Sequence, residues 1–90
     1  MQQITKETVL LVKATTDCNY RIIEIKNRLL ALKLMEMGCL EGMIIQKISA
    51  APFNGPLIIR VYPNENLLAI RYEDSADILI SEALSKSSDN

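Results

Sequence analysis

The sequence contains no histidine, and this absence removes the most common general base and the most common neutral metal ligand. A serine nucleophile would therefore have no imidazole partner, and no other catalytic constellation is visible. We expect that the chain is not an enzyme. Zinc and ferrous iron sites draw on histidine, cysteine and clustered carboxylates. With only two cysteines present, we expect neither a bound metal nor another cofactor.

Two groups of candidate ligands remain, and both favour an ordinary structural role. The carboxylates cluster best at Glu73, Asp74 and Asp77, which could face the same way for one helical turn, and we expect an exposed acidic turn there. Cys18 and Cys39 have neither metal-binding nor Cys-x-x-Cys spacing. They are expected to be reduced thiols packed as small hydrophobes, with a disulfide between them as the alternative.

The chain also lacks a long apolar run and a strong net charge. No segment approaches the roughly 20 apolar residues that cross a bilayer, and Met1-Gln2-Gln3 does not begin a signal peptide. We therefore expect a cytosolic protein without membrane insertion. Because the formal net charge is -1 and the cations are scattered among acids, binding to nucleic acid is disfavoured.

Aromatic residues make up 4% of the chain, whereas 49% of it is hydrophobic, so the core must be built from aliphatic side chains. Ninety residues form one small domain. Small branched side chains suit the interior of a tight barrel. We expect an N-terminal extension at residues 1–8, a barrel domain at 9–81 and a flexible tail at 82–90.

One helix is predicted from Arg28 to Met37, where the residues are good helix formers without glycine, proline or β-branching. Asn27 can cap its start. Leu30, Leu34 and Met37 form an apolar stripe, and Gly38 should end the helix in a left-handed conformation.

Short segments of strand length surround this helix, and turn residues separate them. The predicted strands cover residues 20–26, 43–50, 57–62, 67–72 and 78–81. Residues 9–12 are apolar on both sides and could be an added edge strand or a segment packed under the barrel. Residues 73–77 should form a single helical turn at a corner. The pattern predicts a mainly β fold, a small barrel of about five strands with one inserted α-helix.

Glycine marks three predicted turns, at Gly38, Gly42 and Gly55. Gly42 follows the helix stop and begins a strand. In the loop at residues 51–56, two prolines stiffen the chain, and Asn54-Gly55 is expected to supply the positive dihedrals of a tight turn. Phe53 would then lie at the tip of a rigid loop.

These signals, in this order, resemble the ferrous iron transport protein A (FeoA) family over residues 20–80. The resemblance is carried by Met37-Gly38 at the helix end, the turn at Gly42, the Ala51-Pro52-Phe53-Asn54-Gly55-Pro56 loop and the strand Leu68-Ala69-Ile70-Arg71. The chain departs from the family pattern at Thr15-Thr16, Glu41, Asn54-Gly55 and Asp77. The resemblance implies an SH3-like β-barrel.

The same resemblance implies a small cytosolic accessory or regulatory protein of ferrous iron uptake. Its implied partner is the FeoB membrane permease, contacted through that protein's cytosolic GTPase region, and the chain itself is not expected to carry iron. Three alternatives remain open: a metal-responsive module, a small barrel that binds nucleic acid, and a self-associating structural subunit. A weak homo-oligomer is compatible with the accessory role.

We expect the partner-binding surface to consist of Arg28, Leu32 and Met35 on the helix together with Phe53 and Asn54 at the loop tip. The helix has more apolar residues than its inner stripe needs. A rigid loop that presents one aromatic residue is suited to docking. Two alternatives stand against this surface. Phe53 could fold back to plug the barrel end, and residues 9–12 could cover the outer leucines of the helix.

Overall fold

Six antiparallel strands and one helix of nine residues form the domain in the computed structural model, which describes residues 7–83. The strands are β1 (Thr8–Leu10), β2 (Asn19–Ile25), β3 (Ile44–Ala50), β4 (Leu57–Val61), β5 (Asn66–Ile70) and β6 (Ile78–Glu82). The helices are α1 (Arg28–Glu36) and the single turn α2 (Tyr72–Ser75). The predicted mainly β barrel with one inserted helix is confirmed, and β1 is the strand beyond the expected five.

All strands belong to one sheet in the order β1-β6-β2-β3-β4-β5. The register shifts between Ile22 and Glu24 where β2 pairs with β6, and between Lys47 and Ser49 where β3 pairs with β4. Such bulges bend the strands and increase their twist. The sheet therefore curls around one aliphatic core, and β1 and β5 are its two edges.

The segment at residues 9–12 combines both roles that its sequence left open. β1 pairs with β6, with Val9 opposite Ile80. The next residues, Leu11–Lys13, form a 3-10 turn that buries the Leu11 side chain completely. Of the expected N-terminal extension and tail, residues 1–6 and 84–90 lie outside the described part of the chain.

Helix α1 starts and stops where its sequence indicates. The Asn27 Oδ1 atom accepts a hydrogen bond from the Leu30 backbone N–H at 3.0 Å, and Gly38 has φ +84°. Leu30 and Leu34 are buried as predicted, but Met37 is not. Met37 is the C-cap, with φ -96° and ψ 8°, so its side chain leaves the stripe. Cys39 takes the buried position, and its N–H donates to the Leu34 carbonyl.

The core is almost entirely aliphatic, as the scarcity of aromatic residues requires. Its central members are Leu11, Ile22, Leu34, Ile45, Leu57, Ile59, Ile78 and Ile80. Both cysteines are free thiols, so the alternative disulfide does not form. Burial raises the pKa of the Cys39 thiol to about 11, which keeps it neutral.

The turn α2 connects β5 to β6 at the predicted corner. The Ser75 hydroxyl donates to the Tyr72 carbonyl at 2.6 Å and is fully buried. The Arg71 guanidinium bonds Asp74 across the same turn. Within residues 7–83, no helix is long and apolar enough to cross a bilayer.

Candidate functional site

The β3–β4 hairpin ends in a tight turn that presents Phe53 to solvent. The Gly55 N–H donates to the Pro52 carbonyl at 3.1 Å, and the Ala51 N–H donates to the Pro56 carbonyl at 2.9 Å. Phe53 and Asn54 have φ +58° and +60°, the geometry of a two-residue type I′ hairpin loop. The prediction that Asn54-Gly55 supplies the positive dihedrals was therefore wrong by one residue.

Phe53 is the most exposed large hydrophobic residue of the described chain, with 99% of its surface accessible to solvent. This exposure rules out the alternative in which the ring plugs the barrel end. A left-handed conformation costs a non-glycine residue roughly 1 to 2 kcal/mol. The turn thus places a large aromatic ring in water on a strained backbone, and strain of this kind tends to occur at functional sites.

Gly55 is required for packing rather than for its dihedral angles. A Cβ atom at this position would lie 2.7 Å from the Ala51 Cβ atom, closer than two non-bonded carbon atoms approach each other in proteins. Gly42 is the opposite case, because its φ is +93° while no atom lies within 4 Å of an added Cβ. Each glycine supports a turn, but for a different physical reason.

The outer face of α1 forms the second exposed surface. Leu29, Leu32 and Met35 occur at intervals of three residues, and Leu32 and Met35 are 48% and 47% exposed. The N-terminal segment does not cover them within the described residues, since β1 pairs with β6 and the Leu11 side chain is buried in the core. The alternative in which residues 9–12 shield the helix is therefore wrong.

Arg28 occupies the first position of α1, where a cation faces the positive end of the helix dipole. No acidic residue lies in the first turn to compensate it. Arg28 is exposed, and its interaction with the helix dipole does not favour a cation at this position. It lies at one end of the apolar stripe and adds a charge to it.

The helix face and the hairpin tip lie on different elements of the fold. Residues 37–43 lead from α1 to the start of β3, and the tip follows the end of β3. The seven residues of β3 span roughly 20 Å at the usual rise per residue. The expected site residues thus divide into Arg28, Leu32 and Met35 on α1, and Phe53 and Asn54 on the tip.

Several exposed apolar side chains lie outside the predicted surface, and Ile23 and Leu67 are two of them. Ile23 is on the outer side of β2, and Leu67 is on the edge strand β5 with 58% of its surface exposed. The alternation of Leu68 and Ile70 with Ala69 indicated the outer face of β5. That β5 lies at the edge of the sheet follows from the strand order, and a local sequence pattern does not predict strand order.

Two acidic side chains at the turn α2, Glu73 and Asp74, contact the Arg71 guanidinium. The Arg71 guanidinium donates to both Asp74 carboxylate oxygens at 3.0 and 3.3 Å and lies 3.6 Å from Glu73. Its hydrogen bond with Asp74 raises the pKa of Arg71. Among the described residues, no group of three histidine, cysteine, aspartate or glutamate residues could hold a metal ion.

A family model described as the FeoA domain matches residues 9–82, which is most of the chain. No curated protein matches the chain significantly.

Solved structures show the same fold. An iron uptake regulatory protein (FeoA) crystal structure aligns with a TM-score of 0.73 and 23% identity, covering 86% of this chain and 100% of the other. The FeoA-like protein from Clostridium acetobutylicum gives 0.72 and 24%, covering 94% and 96%. A manganese-dependent transcriptional repressor gives 0.74 and 10%, with 91% of this chain matching 45% of the repressor.

Proposed function

The chain belongs to the FeoA domain family, and we propose that it is a small cytosolic accessory or regulatory protein of ferrous iron uptake. In this proposal it acts by contact with the cytosolic GTPase region of a FeoB-type membrane permease. Membership of the family and the fold shared with an iron uptake regulatory protein support the role in iron transport. The choice of partner rests on the family resemblance together with the exposed surfaces of the domain.

The single observation that carries the proposal is the exposed apolar stripe on α1. Leu29, Leu32 and Met35 lie on an element whose other side is fixed in the core by Leu30 and Leu34. A contact made by a fixed helix loses little conformational freedom on binding. Apolar side chains that a partner fully desolvates are the residues that dominate interface energies.

The hairpin tip provides a second contact of the same kind. Phe53 has its ring in solvent, and Pro52 and the type I′ turn hold the backbone behind it. An aromatic anchor on a rigid turn can enter a preformed apolar pocket without first becoming ordered. Asn54 adjoins the ring and adds an amide at the rim.

The surface of the chain supports contact with a protein better than handling of the iron itself. The acidic side chains Glu73 and Asp74 already engage Arg71, and the thiol of Cys39 is buried and neutral. In this proposal ferrous iron is the cargo of the partner and not a ligand of this chain. In this role the chain alters the partner's activity or assembly through the two surfaces.

Amide chemical shifts of the isotopically labelled full chain, titrated with the cytosolic GTPase region, test the proposal residue by residue. We expect the largest changes at residues 28–36 and 52–55, with small changes along β5. Saturating changes confined to other surfaces would contradict the assigned contacts. Complete absence of changes with a folded, nucleotide-binding partner would contradict the choice of partner.

A further inference from the structure

The hairpin tip contains the only asparagine of the chain that is followed by glycine, Asn54-Gly55. Asparagine is thermolabile, because the backbone nitrogen of the next residue can attack its side-chain carbonyl. A side chain on that next residue hinders the attack, and glycine has none. Asn54 is also exposed to solvent. The asparagine most open to this reaction therefore lies on the surface assigned to the partner.

The geometry of the turn favours both members of this pair. Asn54 has φ +60° at the second position of the type I′ turn, where asparagine and glycine are preferred. A Cβ atom at Gly55 would lie 2.7 Å from the Ala51 Cβ atom, so this position excludes a side chain. The requirements of the turn thus select a dipeptide that is chemically labile.

We propose that Asn54 is a deamidation site whose conversion alters the hairpin tip covalently. The Gly55 nitrogen loses its proton and attacks Asn54 Cγ, and the side-chain nitrogen leaves as ammonia. The product is a cyclic succinimide. Water then opens the ring at one of its two carbonyls and yields aspartate or isoaspartate. Each conversion consumes one water and releases one ammonia, and it needs no oxidant, metal or cofactor.

The hydrogen bonds of the turn control when this reaction occurs. The Gly55 N–H donates to the Pro52 carbonyl at 3.1 Å, which holds the attacking nitrogen in the turn. The Ala51 N–H donates to the Pro56 carbonyl at 2.9 Å and closes the base of the tip. Attack therefore requires local opening, which costs less free energy at an exposed tip than in the core. The unfolded chain, which lacks both bonds, should react faster than the folded chain.

Conversion changes both the shape and the charge of the tip. In isoaspartate the backbone runs through Cβ and Cγ, which adds one atom to a turn of only two residues. Both products replace a neutral amide with a carboxylate beside Phe53, so the chain gains one negative charge. Burial of that charge in an apolar contact is unfavourable. On the assumption of the proposed function, conversion weakens the contact of the tip irreversibly and leaves the contact of α1 in place.

Peptide mapping by mass spectrometry, after incubation of the full chain at mildly alkaline pH, tests the site itself. Cleavage after lysine and arginine gives the peptide 48–60, in which Asn54 is the only asparagine. We expect this peptide to gain the mass difference between an amide and a carboxylic acid, and to separate into two isomers. The peptide 61–71 is the internal control, because neither Asn64 nor Asn66 precedes glycine, and it should remain unchanged.

Two comparisons test the mechanism of the reaction. Asn54→Gln retains an exposed amide, but its attack would close a larger and less favourable ring, so it should convert at least about tenfold more slowly. The original chain unfolded in urea should convert severalfold faster than the folded chain. Circular dichroism before and after incubation verifies that the folded samples remain folded.

The effect on the partner is measured separately. Anion exchange separates the converted chain from the original one by its added charge. Calorimetric titration with the cytosolic GTPase region should show binding at least about tenfold weaker after conversion. Asn54→Gly lacks the reactive amide, so its affinity should be the same before and after incubation.

Three results would overturn the inference. They are an unchanged peptide 48–60 from the folded chain, conversion at Asn64 or Asn66 as fast as at Asn54, and a converted chain that binds as tightly as the original one. Failure of the original chain to bind the GTPase region would instead contradict the proposed function. Peptide mapping decides the deamidation site in either case, because it involves no partner.

Discussion

The Glu41 carboxylate accepts a hydrogen bond from the Ile25 backbone N–H at 2.9 Å, across a sequence separation of sixteen residues. Ile25 is the last residue of β2, and Asn27, the cap of α1, follows two residues later. The bond thus links the loop after the helix to the strand before it. It stabilises the junction between β2 and α1, the helix that carries the exposed face.

Replacing Glu41 with alanine should destabilise the domain by about 1 to 2 kcal/mol, because the Ile25 N–H would lose its acceptor. Glu41→Gln is the matched control, since its side-chain oxygen can still accept the bond, and it should lose about half as much. Urea unfolding of both variants measures the difference. Equal losses for alanine and glutamine would show that the acceptor is not the cause.

Gly55→Ala should destabilise the hairpin tip because the new Cβ atom would collide with the Ala51 Cβ atom at 2.7 Å. We expect a loss of about 1 to 3 kcal/mol, the usual range for overpacking. Ala51→Gly in the same chain should recover most of that loss. A double variant as unstable as Gly55→Ala would place the strain elsewhere.

Gly42 provides the control for that experiment. An added side chain meets no atom there, but φ is +93°, so Gly42→Ala should cost about 1 to 2 kcal/mol through the backbone alone. Ala51→Gly should not rescue it. Rescue of both glycine variants by the same change would argue against a specific contact at the tip.

Phe53→Gly should make the domain more stable while weakening binding to the partner. Glycine adopts the left-handed conformation without the steric penalty of phenylalanine, a gain of about 1 kcal/mol after its greater unfolded-state entropy is counted. Phe53→Ala is the control, because it removes the ring but keeps the strained backbone, so its stability should remain about unchanged. A lower melting temperature for Phe53→Gly would show that the ring has a structural role.

Cys39 should make stability fall at alkaline pH. Its pKa is raised from 9.0 to about 11 by burial, so the folded state favours the neutral thiol. The contribution is complete below pH 9 and is lost as the pH rises through about 11.

Between pH 8 and pH 10.5 the loss due to this thiol is about 1 to 2 kcal/mol. Urea unfolding of the original chain and Cys39→Ala at both pH values isolates it, since alanine cannot ionise. The variant should show the smaller alkaline loss. Identical losses would mean that the thiol has the same pKa in the folded and unfolded states.

Much of the fold follows from local signals in the sequence. Asn27 and Gly38 mark the ends of α1 because capping and left-handed dihedrals depend on neighbouring residues. Met37 departs from the predicted stripe because the helix ends one residue earlier, and Phe53 takes a left-handed dihedral because the turn begins one residue earlier. Both errors are boundary errors of a single residue.

The candidate site was only partly accessible from sequence. The surplus of apolar residues on α1 indicated an exposed face, and the structure confirms the exposure of Leu32 and Met35. The open edge at Leu67 depends on strand order. Strand order arises from pairing between segments that are distant in the chain, and periodicity carries no information about it.

The central claim is that the exposed face of α1 binds the cytosolic GTPase region of the transporter, and a calorimetric titration with two leucine variants tests it most directly. Leu32→Asp should raise the dissociation constant at least about 30-fold, equivalent to about 2 kcal/mol, with the melting temperature nearly unchanged. Leu67→Asp makes the same chemical change at an exposed leucine on β5 and should bind like the original chain. Equal affinity for Leu32→Asp and the original chain, with both folded, would contradict the claim.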